Sequence, residues 1–252
     1  MRWDGRAYWA LGTRSVTMHG RSDAECRVPW STLAWASSVD DDMRPSYHVR
    51  MPNEAPFSRQ CEFKSCRRDN TPGDAHSLTF SCFRRQPLLA RKRTRGWMVD
   101  AINAASGKYD FAVWAFVIMP EHVHILLLPR QPEYSVSRIL SGLKQPVSKQ
   151  ATQFLRATET ATPATMLDVQ PNGRRSVRFW QRGGGYDRNL RSPRHIWETI
   201  DYIHANPVRR GLCEADVDWP WSSAEDYHGG APCPVALDLA SIPDDPRGLN
   251  AP

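Results

Sequence analysis

Apolar and polar positions settle into readable periods only from Asp74 onward. His76-Ser77-Leu78-Thr79-Phe80-Ser81-Cys82-Phe83 alternates, which predicts a strand with Leu78, Phe80 and Cys82 on one face. Between Thr94 and Ala105, residues Trp97, Met98, Ala101, Ile102 and Ala105 share one face of a helix that Gly107 is expected to end. Two unbroken apolar runs follow, 111–119 and 122–128, bounded by Pro120 and Pro129, and both read as buried strands. A second helix opens at Ser135 or Ser137 with Val136, Ile139, Leu140 and Leu143 as its stripe. Pro146 either kinks it or starts a following helix through Val147, Ala151 and Phe154-Leu155. Residues 157–177 are polar and read as a loop, Phe179-Trp180-Gln181 as a short strand, and Gly183-Gly184-Gly185 as a flexible turn. Ser192-Pro193 opens a helix in which serine caps free amides and proline takes the first turn, and Pro207 is expected to stop it.

The remainder sets the domain plan. Residues 1–72 keep no period and read as an N-terminal extension, partly disordered, in which Met43 and Met51 are alternative starts. One domain spans 73–228, and the Pro- and Asp-rich residues 229–252 read as a tail.

Composition narrows the partners. The 252 residues are 40% hydrophobic, enough for a real core, and carry a net charge of +6. Arginines cluster at Arg84, Arg85, Arg91, Arg93 and Arg95, and again at Arg174, Arg175, Arg178, Arg182, Arg188 and Arg191, where Phe179, Trp180 and Tyr186 interleave. Arginine pairs with phosphate and stacks on base faces, so nucleic acid is the partner suggested, although a solvated basic surface has the same look. The six cysteines (Cys26, Cys61, Cys66, Cys82, Cys213, Cys233) are scattered and complete no zinc site; they read as free thiols of a reducing cytoplasm. Neither a signal peptide nor a membrane span is visible, so a cytoplasmic protein associated with the nucleoid is expected.

The chemistry is carried by His122-Val123-His124. Two histidines one residue apart on a strand point the same way and can hold a metal ion, or simply be two satisfied histidines near a strand end. On the helix opened by Pro193, Ile196, Ile200 and Ile203 make the apolar stripe, while His195, Glu198, Tyr202 and Asn206 make a polar one. Tyr202 and Asn206 lie one turn apart, close enough to serve one small centre, yet Asn before Pro is also a common helix stop.

At this point the motifs become specific. Met119-Pro120-Glu121-His122-Val123-His124-Ile125-Leu126, then Asp201-Tyr202-Ile203-His204-Ala205-Asn206-Pro207-Val208-Arg209-Arg210-Gly211-Leu212, then Trp219-Pro220-Trp221-Ser222-Ser223 resemble the single-tyrosine HUH transposases. Leu143-Lys144-Gln145 and Phe179-Trp180-Gln181 match their REP-associated (RAYT) branch. The resemblance implies an α/β (α+β) domain of ferredoxin-like or RRM-like form, with a largely antiparallel sheet, helices packed on it, histidines on a central strand and the tyrosine on a helix. It implies Tyr202 as nucleophile, His122, His124 and Asn206 as ligands of Mg²⁺ or Mn²⁺, and Lys144, Arg188, Arg191, Arg209 and Arg210 as candidate DNA contacts. The implied reaction cuts single-stranded DNA at hairpin palindromes through a 5′-phosphotyrosine, by a monomer or homodimer. That link conserves the phosphodiester, in keeping with the lack of a GxxxxGK[ST] loop. Glu198 either supports the metal through one of its ligands or is a solvated helix residue, and His204 is expected off the active face.

Two other classes stay open. A metal hydrolase using water would want acidic ligands beside the histidines, and Glu121 is expected to point to the opposite face. A silent or host-adopted protein that binds repetitive palindromes would use only the arginines.

Overall fold

The computed structural model describes residues 68–159 and 163–248. The extension up to residue 67, with Cys26, Cys61, Cys66 and the alternative starts, lies outside them. Strand β1 (Ala75–Ser81) leads to helix α1 (Lys92–Tyr109), and strands β2 (Phe111–Ile118) and β3 (His122–Pro129) follow as a hairpin. After helix α2 (Val136–Ala157) come β4 (Leu167–Val169), β5 (Arg175–Val177), β6 (Tyr186–Leu190), helix α3 (Pro193–Arg209) and the short α4 (Ala224–Tyr227).

The main sheet has the order β2-β3-β1-β6, and every pairing in it is antiparallel. With the two crossover helices this is the ferredoxin-like βαββαβ plan that the resemblance implies. Alternation along the strands divides the side chains between two cores. Leu78, Phe80, Val113, Phe116, Val123, Ile125 and Leu127 bury against α1 and α2. Ala112, Trp114, Val117, Met119 and Leu126 bury against Ile196, Trp197, Ile200 and Ile203 of α3. An extra residue in β2 between Val113 and Ala115 shifts the register there.

Three elements differ from expectation, and at Pro146 the alternative of a separate following helix falls away. Gly107 lies inside α1, which ends at Tyr109, and Asp110 takes the left-handed position (φ 49°) instead. Pro146 lies inside one continuous α2: Val147 and Ala151 extend the buried stripe past it. A helix proline costs ~3 kcal/mol, and burying side chains returns about 1.5–3 kcal/mol for each large one. Within 157–177, β4 and β5 form a two-stranded sheet too short to show alternation, with Arg178 and Arg182 both bonded to Asp168. Phe179-Trp180-Gln181 forms only a single bridge, Trp180 to Cys82, while the fourth strand is β6, read before only as the stretch between a turn and a helix. Its Tyr-Asp-Arg-Asn-Leu sequence suits an edge, where charged residues discourage further pairing. It is held by Asp187 to His76 Nδ1 (2.9 Å) and by Asn189 to Asp74 (2.9 Å).

The C-terminal segment lies on the α3 face. Trp197 donates to the Pro243 carbonyl (2.8 Å), Trp114 to Ser241 (2.8 Å), and Arg247 to Asp201 (2.6 Å). Cys82, Cys213 and Cys233 are free thiols. Among the described residues no helix is long and apolar enough to cross a membrane.

Candidate active site

The polar face of β1 and β3 looks into an open cleft of about 760 Å³ beneath α3. His122 and His124 both project into it because they share strand parity, and their rings stand nearly perpendicular (86°), with Nε2 atoms 2.9 Å apart. The Nδ1 of His122 lies 3.1 Å from the Glu121 carboxylate, and the Nδ1 of His124 lies 2.7 Å from the Thr79 hydroxyl. An ionised carboxylate only accepts, so His122 carries its proton on Nδ1 and offers a lone pair at Nε2. A threonine hydroxyl both donates and accepts, so Thr79 satisfies His124 in either tautomer. Burial, and then the neighbouring His122, push the His124 imidazole down to about 3, which keeps it neutral.

Helix α3 brings the rest. Tyr202 is 46% exposed, with its ring 5.6 Å from that of His124 at 88° and the Arg209 guanidinium 5.3 Å over its face. Asn206 is buried one turn on. Pro207, expected to end the helix, lies inside it, and the helix runs to Arg209. Proline lacks the N–H that would reach the Ile203 carbonyl. The Asn206 amide nitrogen donates to the Tyr202 carbonyl (2.7 Å) and approaches that of Ile203 (3.5 Å), which relieves the break. With its nitrogen engaged there, the Asn206 oxygen is the atom left for a ligand. His195 and Glu198 complete the polar stripe and line the same cleft, although Glu198 pairs with Arg194 (2.9 Å). His204 faces the other way, bonded to Ser223 (2.8 Å) and pushed down to about 4 by burial.

Glu121 does not point away. It precedes β3, in the turn, where strand alternation has not begun, and it meets both His122 and Arg210 (3.0 Å). Burial alone would raise its carboxyl, but the His122 hydrogen bond and then the Arg210 guanidinium hold it below the ordinary carboxylate range. The hydrolase reading loses its objection that no acid is close, but Glu121 stands behind His122 rather than beside the two Nε2 atoms. If Glu121 orients His122, Glu121→Gln should weaken Mn²⁺ binding about 10- to 100-fold with little change in DNA affinity. Titration calorimetry of both ligands checks this; unchanged Mn²⁺ binding refutes the orienting role.

Of the five basic residues singled out, Arg188, Arg209 and Arg210 line the cleft. Lys144 instead bonds the carbonyls of Gln181 (3.3 Å) and Gly183 (2.9 Å), with burial pushing its ammonium down to about 8. Arg191 pairs with Asp74 (2.9 Å). Sequence reading missed Thr79, Tyr186 and Arg85 as cleft residues. The alternation of Ser77, Thr79 and Ser81 with Leu78 and Phe80 was the available signal, but its meaning depends on pairing with β3.

Residues 75–163, from β1 to just past the end of α2, match the family described as Transposase IS200 like. The match includes the His122–His124 strand and stops before Tyr202. The chain is similar to a Haemophilus influenzae protein named "Putative REP-associated tyrosine transposase", at 28% identity over 165 residues, 62% of this chain and 83% of that protein. It is also similar to an Escherichia coli REP-associated tyrosine transposase, at 30% identity over 114 residues, 45% of this chain and 54% of that one. The resemblance to the REP-associated branch holds. A solved REP-associated tyrosine transposase bound to a REP hairpin overlays with a TM-score of 0.47 at 23% identity, covering 71% of this chain and 95% of the other.

The site fits a divalent metal. Two Nε2 atoms 2.9 Å apart have the spacing of adjacent ligands on one ion at about 2.1 Å each. Among the described residues no three His, Cys, Asp or Glu side chains form a metal-holding group, so a third protein ligand has to be neutral, as the Asn206 oxygen is.

Proposed function

We propose that this transposase-family chain is a metal-dependent single-stranded DNA endonuclease and strand transferase acting at hairpin palindromes, with Tyr202 as its nucleophile. The observation that carries the reading is the convergence of Tyr202, the His122–His124 pair and Asn206 in one open cleft rimmed by Arg85, Arg188, Arg209 and Arg210. The relatives named for REP-associated transposition support the same substrate class.

His122, His124 and Asn206 would hold Mg²⁺ or Mn²⁺, which when bound polarises a phosphate oxygen and stabilises charge at the reacting phosphorus. Arg188, Arg209 and Arg210 draw the DNA backbone into the cleft, and an open site admits a strand that a closed pocket would exclude. Lys144 and Arg191 act one step back, fixing the loop and strand that carry Tyr186 and Arg188. Arg209, lying over the Tyr202 ring, stands beside the attacking residue where it can meet the phosphate. Attack by the Tyr202 oxygen forms a P–O bond as the P–O3′ bond breaks; the phenol loses a proton and the 3′ oxygen gains one. The product is a 5′-phosphotyrosine with a free 3′-hydroxyl, and reversal onto another 3′-hydroxyl rejoins DNA without a nucleotide cofactor.

The test incubates the full chain with Mn²⁺ and end-labelled single-stranded hairpins from repeats flanking its own gene, then looks for a slow-migrating covalent adduct on a denaturing gel. The adduct should form, vanish with chelator, and map to the peptide holding Tyr202. Cleavage without adduct would favour a water-using nuclease.

A further inference from the structure

One exposed aromatic on the sheet has no part in the chemistry above. Register sets His124 on β3, Thr79 on β1 and Tyr186 on β6 in a single row across three neighbouring strands. The row runs from the histidine pair to the sheet edge, a distance of two strand spacings or about 10 Å. Tyr186 faces the cleft that holds the histidines and is 57% exposed, whereas Leu190 of the same strand is buried. Arg188, two residues along and so on the same face, lines the cleft too, and it has no ion-pair partner among the described residues. Ser77 stands directly across from it.

The approach to the ring is kept clear. Gly183, Gly184 and Gly185 precede it, and Gly185 sits at φ +74° where a Cβ would come within 2.1 Å of the Thr79 carbonyl oxygen. The backbone is thus pressed onto β1, and no side chain from that turn stands over the phenol. Single-stranded nucleic acid is held in this way, by aromatic faces that take bases and cations that take phosphates.

We infer that Tyr186 is a stacking platform for an unpaired base of the DNA, within two nucleotides of the scissile phosphate, while Arg188 takes a phosphate of the same stretch. The inference rests on the single-stranded DNA reading and adds a subsite to it. Stacking uses the π-face that every base has, so the subsite grips without reading sequence and favours the larger purines.

The test uses the full-length chain and hairpin oligonucleotides whose unpaired flanks carry the fluorescent base 2-aminopurine at successive positions. Wild type should quench one position. Tyr186→Leu should lose that quenching and bind between about 5- and 150-fold more weakly, while Tyr186→Phe and Tyr186→Trp keep both and all melt like wild type. If Tyr186→Leu retains affinity and quenching, the platform is refuted while the DNA reading stands. If wild type binds no single-stranded DNA, the DNA reading fails and takes the platform with it.

Discussion

Tyr202→Phe is expected to abolish the covalent protein–DNA adduct and to lower strand cleavage by at least about 10⁴-fold, the scale on which removal of a catalytic nucleophile acts. Phenylalanine keeps the ring that packs edge-on to His124 and under Arg209, and the side chain is half-exposed, so fold and DNA affinity should persist. Only the attacking oxygen is lost. The measurement pairs a denaturing gel for adduct with a filter-binding titration on the same hairpin. Cleavage surviving in the variant would place the nucleophile elsewhere, and water activated near Glu121 would be the first alternative to examine.

His124→Ala should have the next largest effect. His124 is 7% exposed, lodged between the His122 and Tyr202 rings and bonded to Thr79. Its loss removes one of two imidazoles from the candidate metal centre, so Mn²⁺ affinity should fall by more than the roughly 10- to 100-fold typical of losing a supporting partner alone. Cleavage should fall in parallel, and hairpin binding, which depends on the arginines, should change far less. Calorimetric titration with Mn²⁺ and a binding titration with hairpin DNA separate the two effects. Wild-type Mn²⁺ affinity in the variant would remove His124 from the ligand set.

The long periodic elements were legible because burial repeats at fixed intervals. Leu78 and Phe80, the β2–β3 hairpin, and the Ile196–Ile200–Ile203 stripe all face apolar cores as their spacing implies. The polar stripe of α3 likewise lines one cleft. What was hidden depended on partners distant in sequence. Tyr186–Leu190 is a strand because Asp187 and Asn189 find His76 and Asp74, not because its own residues favour extension. Glu121 was assigned a direction by strand parity, but it sits in the turn before the strand and takes its direction from His122 and Arg210. Pro146 does not open a separate helix, and Pro207 does not stop one. Local chemistry opposes a helix at both, but at Pro146 the buried stripe continues through Val147 and Ala151, and at Pro207 the proline ring is itself buried.

At Pro207 the resolution has an evolutionary corollary. The side chain of Asn206 serves two masters: its nitrogen mends the helix that the following proline interrupts, and its oxygen is what a cation in the cleft would meet. Aspartate supplies oxygens but no donor for the helix, and leucine supplies neither. Backbone chemistry therefore restricts this position as tightly as any demand of the reaction. Across descendants of this chain, residues 206 and 207 should vary as a pair, with asparagine released only where the proline has gone first.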